Sequence, residues 1–212
     1  MKERLDNYQI QAAKAKKLFL AYDQQEMIDR CQLQFDESFL YIKLLSDPYR
    51  IDRRTGDMER LCGGVWVDGN SFNEVMTVLD WLCDSKDGRY ISGCWINPVT
   101  HGHCFHNSLQ ENDKDPHAAM VDAQPEAFRK ACEDLGGEEL PGADIGYAIE
   151  LLDGLRIFVQ FWHGDEEFAP RLRCLWDENV QMYLRYETTW YAVPLLMDRI
   201  KERIGSDEMV EA

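Results

Sequence analysis

A chain of 212 residues with 45% hydrophobic and 11% aromatic content can bury one sizeable core, which makes a single domain over 1–212 the expectation. Its 23 basic against 39 acidic residues give a formal charge of -16, which repels phosphate backbones and anionic bilayers and excludes nucleic acid and membrane surfaces as partners. No apolar run approaches the roughly 20 residues of a membrane span, and Met1–Asp6 lacks the apolar core of a signal peptide, so a cytoplasmic protein is expected.

Leu5, Tyr8, Ala12, Ala15, Leu18 and Phe19 recur at helical spacing and predict an amphipathic helix over 3–22. Phe39 to Leu45 reads as a buried strand. Asp47-Pro48 then turns the chain into Tyr49-Arg50-Ile51, and Thr55-Gly56-Asp57 marks a hairpin turn. Ser71 and Glu74 form a capping box ahead of Val75, Val78, Leu79 and Leu82, which sets a second helix running to about Cys83. From Gly88 to about Gln124 the sequence is rich in Gly, Pro, Asn, Asp and His and reads as a long loop, with one strand at Tyr90 to Ile96.

Pro125 opens a short helix that carries Phe128, Ala131, Cys132 and Leu135 on one face and stops at Gly136-Gly137. Tyr147 to Leu152, Asp153-Gly154, and Leu155 to Trp162 spell a β-hairpin whose two-residue turn favours left-handed backbone angles. A strand at Leu172 to Trp176 joins it. Trp190 to Ile204 has helical spacing, with Pro194 expected to kink it or mark a restart. The fold class expected from these elements is α+β: a mainly antiparallel sheet from residues near 39–51, 90–96 and 147–176, with helices packed on it. Seven cysteines without a C-x-x-C pair encode neither a disulfide framework nor a zinc ribbon, and most should be buried thiols acting as small hydrophobes.

Leu135-Gly136-Gly137, the hairpin, Trp162-His163-Gly164-Asp165-Glu166-Glu167-Phe168, Leu175-Trp176-Asp177 and Tyr183-Leu184 together resemble the DUF3786 domain family, most clearly over 125–204. That family is a domain of unknown function found largely in anaerobic bacteria and archaea. The resemblance implies a reducing cytoplasm and, in some relatives, an association with iron–sulfur or corrinoid metabolism; it supplies no catalytic residues. The family usually places proline directly after the phenylalanine of its acidic motif, whereas here Ala169 precedes Pro170. The fused iron–sulfur module of some relatives is missing, because no four cysteines lie close together.

Two segments can carry chemistry. Trp162, His163, Asp165, Glu166 and Glu167 put three carboxylates beside an imidazole at a strand end, a set that can bind a cation or ligand or serve as acid and base. The same residues also suit a plain turn, in which an Asp caps the bend, Trp162 and Phe168 join the core and the acids face water. His101, His103, Cys104 and His106 hold three of the five histidines within six residues. They are candidate ligands for zinc or another divalent metal, with His163, Cys94 or Asp165 available to complete a site.

Trp66, Trp95 and Trp162 near strand ends suggest a flat cofactor such as a tetrapyrrole as a further alternative. Arg50, Arg53, Arg54 and Arg60 are expected to pair with surface carboxylates. The sequence has no G-x-G-x-x-G, G-x-x-x-x-G-K-[ST] or H-E-x-x-H, and 69–73 lacks the second glycine of a nucleophile elbow. The functional expectation is a ligand-binding or accessory protein of anaerobic metabolism that takes a small molecule or a protein. Its alternatives are a metal-dependent, hydrolase-like enzyme using His101, His103 or His163 with Glu166 or Glu167 as base, and an interaction protein without a small-molecule site.

Overall fold

The computed structural model describes residues 6–98 and 115–208, with side chains through 205. The described residues form an α+β structure with two antiparallel sheets, each of five strands. The chain divides into two compact units, 1–90 with 181–195 and 91–180 with 196–212.

In the first unit, Asp6 accepts from the backbone of Gln9 and the Gln9 side chain returns the bond, so a capping box opens α1 (Asn7–Ala21). The predicted helix is present, but Phe19 is its one buried residue and Tyr8 and Leu18 face solvent. Asp23 caps α2 (Gln24–Cys31), a helix absent from the sequence reading. Strands β1 (Gln34–Phe35), β2 (Phe39–Leu44), β3 (Asp47–Asp52), β4 (Met58–Cys62) and β5 (Val65–Asp68) follow as a meander in chain order.

The turn between β2 and β3 lies at Leu45-Ser46, both with positive φ, and the expected Asp47-Pro48 turn is instead the start of β3. Neither Leu nor Ser signals a left-handed backbone, so the turn was not legible. The capping box of Ser71 and Glu74 opens α3 (Phe72–Asp84) as expected. Alternation in β2 to β4 puts Leu40, Leu44, Tyr49, Ile51 and Met58 in the core, where Tyr49 donates a 2.6 Å hydrogen bond to the buried Glu74. On the buried side of α3, Asp80 accepts from Thr188 Oγ1 at 2.6 Å and from the Arg185 N–H at 2.9 Å.

In the second unit, β6 (Trp95–Ile96) is shorter than the strand expected over 90–96. Asp115 and Pro116 open α4 (Pro116–Ala123) inside what reads as loop, and α5 (Pro125–Asp134) follows where expected. Then come β7 (Glu138–Glu139), β8 (Ile145–Leu152), β9 (Leu155–Trp162) and β10 (Arg171–Asp177). Asp153 and Gly154, with φ of 52° and 78°, make the left-handed turn that the sequence predicts. The second sheet runs β6-β10-β9-β8-β7, so the strands expected in one sheet sort into two. Phe128 of α5 packs 6.4 Å from Phe161 of β9, and Ile157, Val159 and Phe161 are fully buried on that face.

After a short α6 (Val180–Tyr183), α7 (Tyr186–Glu208) holds Pro194 inside one helix without a restart, and it contributes residues to both units. Cys31, Cys83 and Cys132 are buried, and burial pushes the thiols of Cys83 and Cys174 up to about 12, so they stay protonated and inert.

Candidate functional site

The acidic segment is the eight-residue connection between β9 and β10, which pair Trp162 with Arg171 at its base. Trp162 is half-buried, and the Arg171 guanidinium lies 5.9 Å from its ring. Asp165 organises the connection. Its Oδ1 accepts the N–H groups of Phe168 at 2.7 Å and Glu167 at 2.8 Å, while its own N–H donates to the Phe168 carbonyl. These two bonds to the charged form hold the Asp165 carboxyl below its ordinary range.

A Cβ at Gly164 would sit 2.8 Å from Pro170 Cδ and 2.9 Å from Pro170 N, so the crossing of 164 with 170 requires glycine. The segment is therefore a closed turn. Glu166 and Glu167 face solvent. Phe168 is 69% exposed and does not join the core, contrary to the plain-turn expectation.

His163 is fixed from three sides. Its N–H donates to Asp144 Oδ2 at 2.9 Å, its Nδ1 lies 2.8 Å from Asp122 Oδ1, and its ring meets Phe161 edge-on at 5.0 Å. In the neutral ring Nδ1–H donates to Asp122 and leaves Nε2 with a lone pair. Sequence reasoning missed Asp122 and Asp144 because they stand 41 and 19 residues from His163. The one available signal was Asp115-Pro116, which opens the helix that presents Asp122. Asp122 and turn residues 164–170 line an open cavity of about 540 Å³.

His101, His103, Cys104 and His106 lie outside the described residues. Among the described residues, no group of three or more His, Cys, Asp or Glu side chains is arranged to hold a metal ion. Each tryptophan proposed for a flat cofactor has a local neighbour: Trp66 packs on Arg50 at 4.5 Å, Trp95 on Phe158 at 5.3 Å and Trp162 on Arg171. Of the early arginines, Arg50 pairs with Glu59 at 2.6 Å and Arg60 with Asp47 at 3.4 Å, as expected, whereas Arg53 bonds the Asp36 carbonyl and the Gln24 side chain. No helix of the described residues is long and apolar enough to cross a membrane.

Fold and site define an α+β protein with two five-stranded antiparallel sheets and a glycine-locked acidic turn beside a carboxylate-held histidine. The chain belongs to the DUF3786 family, a domain of unknown function, whose family model matches residues 23–199. No curated protein and no solved structure matches it.

Proposed function

We propose that the protein is a cytoplasmic ligand-binding or accessory protein of anaerobic metabolism, and that the cavity beside the acidic turn takes an organic cation with an apolar portion. One observation carries this reading: Asp122, Asp165, Glu166 and Glu167 line a single open cavity together with the exposed ring of Phe168. Four carboxylates attract a cation, and an aromatic face adds cation–π attraction of about 0.5–1 kcal/mol at an exposed site. The turn is held by Gly164 and Asp165, so little ordering is needed when a ligand arrives. The anaerobic context comes from the family, and the thiols of the six described cysteines suit a reducing compartment.

A metal-dependent enzyme is the second reading, and the Asp122–His163 pair favours it. A carboxylate on Nδ1 orients Nε2 as a metal ligand or base, with Glu166 or Glu167 nearby as a further base.

Calorimetric titration with spermidine and, separately, with zinc chloride divides the readings. The binding protein takes up spermidine saturably, with affinity that falls as salt rises and drops about tenfold in a Glu166→Gln, Glu167→Gln double variant. Zinc uptake that is lost in His163→Ala, without spermidine binding, moves the assignment to the metal enzyme. No saturable binding of either probe leaves a structural turn and sinks both.

A further inference from the structure

The first sheet ends on β5, and its edge is unlike the other three. The opposite edge, β1, and both edges of the second sheet, β6 and β7, are two residues long, whereas β5 has four. Short edge strands limit pairing with another chain; β5 has no such protection, since Val65-Trp66-Val67-Asp68 contains no lysine, proline or bulge. Val65 is 63% exposed and Val67 37%.

The hydrogen-bond phase of this edge is fixed. Gly63 and Gly64, with φ of 55° and 83°, form a two-residue left-handed turn, which makes Cys62 and Val65 the hydrogen-bonded closing pair. Alternation then turns Val67 toward its partner Arg60, and the Gly69 N–H does bond the Met58 carbonyl, at 3.0 Å. The N–H and C=O groups of Trp66 and Asp68 therefore point away from β4, along the open edge.

We propose that β5 is a self-association edge, on which two copies of the chain pair antiparallel about a two-fold axis at Trp66. In that register the outward N–H and C=O of Trp66 meet those of Trp66 in the second copy, giving two backbone hydrogen bonds at the axis. Val65 stands opposite Val67 of the second copy on one face. Trp66 meets its equivalent on the other, extending the row of Leu61 and Trp66 across both molecules. Asp68 falls opposite Gly64, so no like charges face each other. Moving the axis to Val67 would set Trp66 opposite Asp68 and lose the contact between the two Trp66 rings. The opposing influence is the long-range repulsion of two chains of charge -16, which salt screens. Pairing should therefore tighten with ionic strength, the opposite of the dependence expected for a cation in the acidic cavity.

Light scattering with sedimentation velocity, at about 0.1 mM protein in low and high salt, tests this. The expected mass is twice that of the chain, and the dimer fraction rises with salt. Trp66→Pro removes an N–H that lies on the open edge and not in the ladder to β4, and Val65→Lys places a charge at the joint; each weakens association about tenfold or more, with the far-UV circular dichroism unchanged. Should Trp66→Pro lose its fold, Val65→Lys alone decides. A monomeric wild type, or a dimer that survives Val65→Lys, overturns the proposal.

Discussion

In the first sheet, buried and half-buried residues alternate along β3: Tyr49 and Ile51 are buried, with Arg50 and Asp52 on the other face. In the second, seven of eight residues of β8 are buried, and in β9 Arg156 and Trp162 alone escape full burial. Both sheets are five-stranded and antiparallel, the first a meander in chain order and the second a β7-β8-β9-β10 meander with β6 added beside β10. They differ in whether one face or two is covered. A one-faced sheet leaves charged and aromatic residues outward, and Arg50 lies there over the rings of Phe39 and Trp66 while pairing with Glu59. A strand buried on both faces is a nearly continuous apolar run, and its polar chemistry is displaced to the connections. The acidic turn is the connection that leaves β9.

The sharpest way to break this contrast is Phe161→Ala. The ring is fully buried against Phe128, and its removal should cost about 3–5 kcal/mol in urea unfolding. A cost below about 1 kcal/mol would mean that the second sheet is loosely packed on this face. Next is Gly164→Ala, which should destabilise by about 1–3 kcal/mol because the methyl group meets Pro170. Spermidine binding should weaken with it if the closed turn shapes the site, and unchanged stability would show that the crossing of 164 and 170 is slack.

The smallest effect concerns Asp80, on α3 in the unit of the one-faced sheet. Burial raises its carboxyl above the ordinary range, against the bonds from Thr188 and Arg185 that favour the charged form. A raised folded-state value means that the folded protein holds the proton more tightly. The associated stability is fully present below the unfolded value of about 3.9 and is lost as pH rises through the folded one. The stability difference between wild type and Asp80→Asn should therefore fall with rising pH across that interval and then level off. A difference that is flat or rises with pH contradicts the burial of this carboxylate.

Most of the architecture was legible because it rests on local signals. The Ser71–Glu74 capping box, Pro125 with Gly136-Gly137, and Asp153-Gly154 each state a boundary in two to four residues, and the structure has those boundaries. The misses have physical reasons as well. α7 does not restart at Pro194, where burial of Ala192, Leu195, Leu196 and Met197 offsets the lost backbone bond. The two-sheet arrangement was hidden because apolar periodicity reports that a strand is buried and not which strand it joins.

The site divides along the same line. The sequence by itself determined the α+β class, the family, and the presence of an acidic turn at the end of a strongly apolar hairpin, all of which follow from residues near one another in the chain. Tertiary structure alone decided that Phe168 is exposed and that Asp122 and Asp144 hold His163. Those facts depend on where distant segments pack, and a side chain's partner across 41 residues leaves no periodicity for the sequence to show.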